Sequence, residues 1–468
     1  MQTTGLTDRP PGFYLDESSF SWNAWTLVQG GVDEFGRPWP LFFESFGDWK
    51  TAPYIYLLAG VFTVTGPSIL AARAVSAIAG LATVSLLAWL GYRSTKRPAI
   101  GLLTGAAALL NPWTFEPTRL ALEVAFMPAL VAAFLVVLHM RPPTRDRWVS
   151  SALALAMVLA LITYTYTLGR LLGPLLAAGL VLYVGQRSWK AVLGTWIVYA
   201  ALCVPLLLFA ATNPGALTVR LAEAGYLGGP LPEIVGRFVE QLAGNVDPGR
   251  ALWVGDHNER HHVKGIMGSL LVGTLLLALV GIVRAAGYAV RDPWARYLLY
   301  GLVVSYVPAS LTTDPFHVHR LIAVPVFLIA LTIPAQAWLL GRGRAVSLRR
   351  ATFVLLAVAV LAQGAYFQIR YDEAARGRGH WFDDAYPGLL NVALATGETP
   401  VYLVDGIVPA HVHGLWYGAV RSVRPERFVH LPRDTRAPSG ALVLSSESDC
   451  APCVELASGG FFRLYRVP

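Results

Sequence analysis

Apolar residues in this chain gather in long runs, not in the one-sided or alternating patterns of soluble helices and strands. Runs suited to crossing about 30 Å of hydrocarbon occupy roughly residues 67–92, 99–113, 121–140, 148–166, 170–186, 189–211, 265–284, 297–313, 320–340 and 351–367. Some are short or contain proline, so their limits shift by a few residues. Short basic loops separate them: Arg93, Lys96 and Arg97; Arg141, Arg145 and Arg147; Arg187 and Lys190; Arg284, Arg291 and Arg296; Arg342, Arg344, Arg349 and Arg350. Cations confined to alternate loops mark the cytoplasmic side of a multispanning protein. Alternation then collects four items on the outer face: the segment 1–66, the turn around Arg119–Glu123, the loop 212–264, and the loop carrying His317 and Arg320.

The pattern predicts about ten spanning helices across 67–367, an outer segment over 1–66 and a small outer α/β domain over 368–468. In the first segment, Phe20, Asn23, Ala24, Leu27 and Val28 recur at helical spacing behind Asp16 and Glu17, which reads as an amphipathic helix too polar to span. An outer segment at the N-terminus needs a span ahead of Met1, and the preferred expectation is that one precedes it; the other is that 53–65 inserts more deeply. In the last hundred residues, strand-like runs (Val401–Val404, Ala441–Ser445, Phe461–Val467) alternate with loops rich in Gly and Pro.

Composition agrees. Of 468 residues, 55% are hydrophobic and 14% charged, with mean hydropathy +0.50; soluble domains carry about 25% charged residues. The net charge of +8 sits in the loops between spans, which argues against a nucleic-acid partner. Cys203 lies in an apolar run as a core residue, and the CAPC of Cys450 and Cys453 reads as a local disulfide on the oxidising side. No internal repeat stands out.

The outer face carries acids (Asp16, Glu17, Glu123) and cations near span ends (Lys50, Arg119, Arg170, Arg320). Charges at such depth are costly without a function or partner. Joining a hydroxyl to an activated sugar needs a carboxylate to take the hydroxyl proton and cations to stabilise a departing phosphate. Both are present.

Several stretches carry a resemblance: PGFYLDESSFSWNAWTLVQGG, RPWPLFF, YIYLLAGVFTVTGPSILAARAVSAIAG, NPWTFEPTRLALEVAF, TYTYTLGRLLGP, WVGDHNERHHVKGIMGSLLVG and DPFHVHRLIAVPVFLIAL. In order and sidedness they resemble the GT-C glycosyltransferases, more narrowly the protein-mannosyltransferase-like bacterial group that includes the aminoarabinose transferases. The resemblance covers roughly residues 11–340 and not the C-terminal domain. It implies a GT-C-like α-helical polytopic fold in the plasma membrane with its active site on the extracytoplasmic side. It implies inverting transfer from a polyprenyl-phosphate-linked sugar to a lipid, glycan or protein acceptor, with Asp16 as general base and Glu17 beside it in the catalytic site. Lys50, Arg119, Arg170 and Arg320 would hold donor phosphate; Glu123, Asp256, His257 and His317 would line the substrate site. Two departures stand out: Glu123 where the family often has Asp, and Thr51–Ala52 between Lys50 and Pro53.

Each residue also has a quieter reading. Asp16 can serve as a helix N-cap, Glu17 as a first-turn acid favouring the helix dipole, and Arg119–Glu123 as an i,i+4 ion pair. Lys50, Arg170 and Arg320 can snorkel to headgroups. The aromatic residues Trp22, Trp25, Trp39, Phe42, Phe43, Phe46 and Trp49 form either an interfacial belt or a groove for sugar or isoprenoid. A divalent metal is a possible cofactor, through the Asp256–His262 cluster or through Asp16, Glu123 and His261. The competing functions are a transporter or flippase of a lipid-linked amphiphile and a non-catalytic scaffold.

Overall fold

The computed structural model describes residues 2–143, 148–184, 189–343, 345–446 and 452–468, apart from the side chain of Arg220. Arg145, Arg147, Arg187, Arg344 and Cys450 lie outside the described residues, and with Cys450 so does the CAPC pairing.

Each expected span falls on a helix. They are Ile69–Thr95, Pro98–Leu110, Met127–Met140, Trp148–Thr165, Gly169–Gly179 (extended by a 3-10 turn to Tyr183), Trp189–Thr212, Val272–Tyr288, Pro293–Ser310, Val324–Leu339 and Val346–Arg376. Five segments, Ile69–Thr95, Glu123–Met140, Trp148–Thr165, Trp189–Thr212 and Val346–Arg376, are long and apolar enough to cross a membrane. The last one runs to Arg376, past the expected end at 367. The protein is a helical polytopic membrane protein.

Position in the bundle follows side-chain character. Nearly every side chain of Val324–Leu339 is buried, so this helix forms the centre. It packs so closely on Val272–Tyr288 that a Cβ at Gly281 would come within 1.7 Å of the Leu331 carbonyl oxygen; small residues let membrane helices approach in this way. Trp189–Thr212 and Val346–Arg376 lie at the periphery and expose Ile197, Leu207, Leu208, Val354, Leu355 and Val358. Apolar rows of that kind face lipid.

The N-terminal segment folds onto one end of the bundle. Leu15–Gly30 is a helix, followed by a hairpin of β1 (Phe42–Ser45) and β2 (Asp48–Thr51) and the helix Ala52–Thr65. Beyond Arg376 a mixed sheet forms from β3 (Val401–Val404), β4 (Phe428–Leu431), β5 (Leu442–Ser445), β6 (Val454–Gly459) and β7 (Phe462–Arg466). Its order is β4-β3-β5-β7-β6, with β3 parallel to β4 and β5 and β7 antiparallel to β5 and β6. The helix Ala410–Val420 joins this unit to the first helix through a Ser18 Oγ–His413 Nδ1 hydrogen bond of 2.8 Å.

Candidate functional site

The end of the bundle opposite the basic loops holds a cavity of about 650 Å³. Three local structures shape it. The first is the start of Leu15–Gly30. The Tyr14 amide donates to Glu17 Oε2 (3.0 Å), so Glu17 caps the helix and Asp16 sits in its first turn, facing the cavity. The second is the β1–β2 hairpin, which pairs Phe43 with Lys50. Lys50 donates to Asp16 Oδ1 at 2.5 Å and lies 4.3 Å from the centre of the Phe20 ring. The third is the turn between Trp148–Thr165 and Gly169–Gly179. A Cβ at Gly169 would approach the Ile162 carbonyl oxygen to 1.9 Å, so only glycine permits this reversal, which carries Arg170 to the wall.

Seven of the residues named from sequence line this one cavity: Asp16, Lys50, Glu123, Arg170, His261, His317 and Arg320. They come from six segments spread over three hundred residues. Arg170 donates to the carbonyls of Leu217 and Trp49 (2.9 Å each), and Arg320 pairs with Asp314 at 2.6 Å. Tyr14, Asp48, Asn258 and His319 complete the polar side, with the Phe20 ring beneath Lys50; none of these four polar residues stands out as a site residue in the sequence. Leu122, Val124, Leu168, Leu171, Leu221 and Leu311 supply an apolar wall. A cavity that joins charged groups to a larger apolar wall suits a headgroup attached to a lipid.

Four expected site residues lie elsewhere. Glu17 is fully buried; its carboxylate accepts from Arg73 Nε (2.8 Å), a second Arg73 nitrogen (2.9 Å) and the Ala121 and Tyr14 amides (2.8 and 3.0 Å). With those donors satisfied it anchors the N-terminal segment and the turn at Ala121, and it does not line the cavity. Arg119 is buried as well and donates to the carbonyls of Gln2 and Thr4 (3.0 and 2.9 Å), so it tethers the N-terminal segment and does not line the cavity. Among the described residues no ion pair joins it to Glu123, because the chain there breaks into two 3-10 turns around extended Leu120 and Leu122. Asp256 lies buried behind the wall, and His257 is exposed outside the cavity.

Asp256 nonetheless organises the histidines. It accepts from His261 Nδ1 (3.0 Å) and from the Val318 amide (2.9 Å). The ligand atoms of Asp256, His261 and His317 lie within 4.8 Å of one another, and buried Nδ1 of His317 has no hydrogen-bond partner. A carboxylate and two imidazoles, one of them with an Nδ1 that has no hydrogen-bond partner among the described residues, fit a zinc-class ion. Among the described residues, the expected set of Asp16, Glu123 and His261 does not gather in this way.

Electrostatics follow from burial. Burial would raise the Asp256 carboxyl, but the hydrogen bond and charge of His261, with His317, hold it well below the usual range. Burial, then the neighbouring His261 charge, pushes His317 well below an ordinary histidine, and the same two causes act on His319.

Glu34, just past the first helix and hydrogen-bonded to Asn23, is pushed up to about 7 by burial, against that hydrogen bond and the charges of Lys50 and His430. Its unfolded value is about 4.3. The folded state therefore binds the proton more tightly, and stability from Glu34 is complete below pH ~4.3 and lost as pH rises through 7. Glu34→Gln keeps the Asn23 contact. Its melting temperature should match the parent near pH 4.5 and exceed it increasingly up to pH 8; thermal scans across that range check this, and a constant difference would contradict it.

The architecture defines a class: a polytopic helical bundle of the GT-C type carrying a C-terminal α/β unit. Among solved structures, ArnT from Cupriavidus metallidurans bound to undecaprenyl phosphate is similar at TM-score 0.63 and 14% identity, over 99% of this chain and 95% of that one. The apo state of the same protein is similar at TM-score 0.61 and 14% identity, over 97% and 94%. The likeness thus includes the C-terminal unit, beyond the reach of the sequence resemblance. No protein-family profile and no curated protein matches the sequence.

Proposed function

We propose that this chain is an integral-membrane glycosyltransferase that moves a sugar from a polyprenyl-phosphate donor to an acceptor at the extracytoplasmic face, with inversion. The observation that carries it is the convergence of Asp16, Lys50, Arg170 and Arg320 on one cavity with an aliphatic wall. The neighbour of like fold that holds undecaprenyl phosphate supports the donor class.

In this reading the Asp16 carboxylate takes the acceptor hydroxyl proton as that oxygen attacks the anomeric carbon. The bond from that carbon to the phosphate oxygen breaks, and the electron pair leaves with the lipid phosphate. Arg170, Arg320 and Lys50 stabilise the charge that develops there. Attack opposite the leaving group inverts the anomeric centre. Lys50 also orients Asp16 through their hydrogen bond, and Glu123 sits where it can contact the sugar. A divalent ion on Asp256, His261 and His317 would add positive charge beside the phosphate.

A hydrogen bond to a charged group is worth about 1.5–3 kcal/mol, or roughly 10–150-fold. Arg320→Gln and Arg170→Gln should each weaken donor binding by that order, measured as donor KM, while Arg119→Gln changes stability and leaves donor KM per folded molecule unaltered. A phosphate held by Arg119 would reverse the ranking.

A transporter or flippase would use the same cavity without chemistry. Proteoliposomes given a polyprenyl-phosphate sugar separate the two: the proposal expects free polyprenyl phosphate and a glycosidic product of inverted configuration. Movement of intact donor with no product overturns it.

A further inference from the structure

The C-terminal unit holds a second group of ligating side chains, far in sequence from the cavity histidines. Strand β3 lies between β4 and β5, parallel to both. The chain leaves β3 for β4 on one side and returns to β5 on the other, so a crevice opens at the carboxyl ends of these strands. Open α/β sheets bind ligands at such a reversal. Asp405 is the first residue past β3, and its amide donates to the Leu431 carbonyl on β4 (3.1 Å). His430 lies on β4, opposite Leu403. His411 lies in the first turn of Ala410–Val420.

The three side chains converge. His411 Nδ1 is 2.8 Å from Asp405 Oδ1, and His430 Nε2 is 2.8 Å from Asp405 Oδ2. The imidazoles stack with centroids 3.8 Å apart and planes 23° from parallel. One ligand atom from each residue lies within 4.8 Å of the others. We propose that Asp405, His411 and His430 bind one divalent transition-metal ion of the zinc class.

The chemistry fits in three ways. Two imidazoles and one carboxylate are a zinc donor set, and ligand atoms around tetrahedral zinc stand about 3.3 Å apart for bonds of about 2.0–2.1 Å, so only small side-chain movements complete the shell. Nitrogen-rich sites favour zinc, copper or nickel over magnesium, which prefers oxygen and water. The His430 side chain is 42% exposed, against 15% for His411 and 17% for Asp405, which leaves a path from solvent and room for a water as fourth ligand. The helix separates its histidines by role: His413, two residues on, points into the interface, where it meets Ser18 and Asp383. A bound ion would cross-link β3, β4 and the helix that holds this unit against the first outer segment.

The test uses the full chain, purified in detergent, stripped with chelator and titrated calorimetrically with zinc chloride. The cavity set is first removed by His261→Ala with His317→Ala. The proposal expects this variant to bind one zinc per chain, with magnesium failing to compete. Adding His411→Ala and His430→Ala should weaken that binding at least tenfold. X-ray absorption on the zinc-loaded His261→Ala/His317→Ala protein gives a reading that needs no further substitution, and two imidazoles with carboxylate oxygen are expected. No zinc in that protein, unchanged affinity after the C-terminal substitutions, or a shell without imidazole would each overturn the site.

Discussion

Asp16→Asn should abolish sugar transfer in a protein that still folds and still binds donor. A positioned general base contributes about 10²–10⁴-fold, so kcat should fall by that order while donor KM changes little. Asn keeps the size of the side chain and an oxygen for Lys50, which is nearly buried, at 7% exposed, and would otherwise lose a partner. Melting temperature and elution volume check the fold, and release of polyprenyl phosphate checks the chemistry. Glu123→Gln is the informative companion: it lines the same cavity without touching Lys50 in the way Asp16 does, and it should retain far more activity. Full activity in Asp16→Asn would remove Asp16 as the base.

The largest loss of stability should come from Arg73→Met. Arg73 and Glu17 are both fully buried. Arg73 also donates to the carbonyls of Leu6, Pro10 and Gly12 (2.8, 2.7 and 2.9 Å), which fastens the N-terminal segment to the helix Ile69–Thr95. Removing one partner of a buried pair leaves an uncompensated charge and costs about 3–5 kcal/mol. Arg73→Met should therefore lower the melting temperature in detergent more than any cavity substitution named above. Adding Glu17→Gln should restore part of the loss, since neighbours in one network are not additive. Activity per folded molecule in Glu17→Gln should stay near the parent value; a loss as deep as that of Asp16→Asn would return Glu17 to the reaction.

The bundle was legible because lipid imposes one rule on every span, and long apolar runs separated by cations obey it visibly. The β1–β2 hairpin was not, since each strand has four residues and its aromatics Phe42 and Phe43 read equally well as an interfacial belt. The site was legible as a list and not as a set of roles. Asp16 and Glu17 are neighbours in sequence, but successive helical residues point about 100° apart, so one faces the cavity and the other faces Arg73, 56 positions away. Spacing misled at Arg119 and Glu123, where four residues imply one helical face only if the chain is a helix. At Asp256 and His257 sequence proximity does not set position: the loop turns His257 to solvent and Asp256 beneath the wall. The Asp405–His411–His430 group depends on strand pairing between β3 and β4, which no local pattern announces.

In the proposed reaction the lipid phosphate occupies the cavity between Lys50, Arg170 and Arg320. A polyprenyl phosphate bearing a photoreactive group beside its phosphate tests this most directly, with cross-linked peptides mapped by mass spectrometry. The account predicts adducts in 48–50, 122–124, 166–171 and 308–320, suppressed by unlabelled polyprenyl phosphate and weakened by Arg320→Gln. Adducts confined to lipid-facing surfaces such as 197–208 or 354–358, unaffected by competitor, would contradict it.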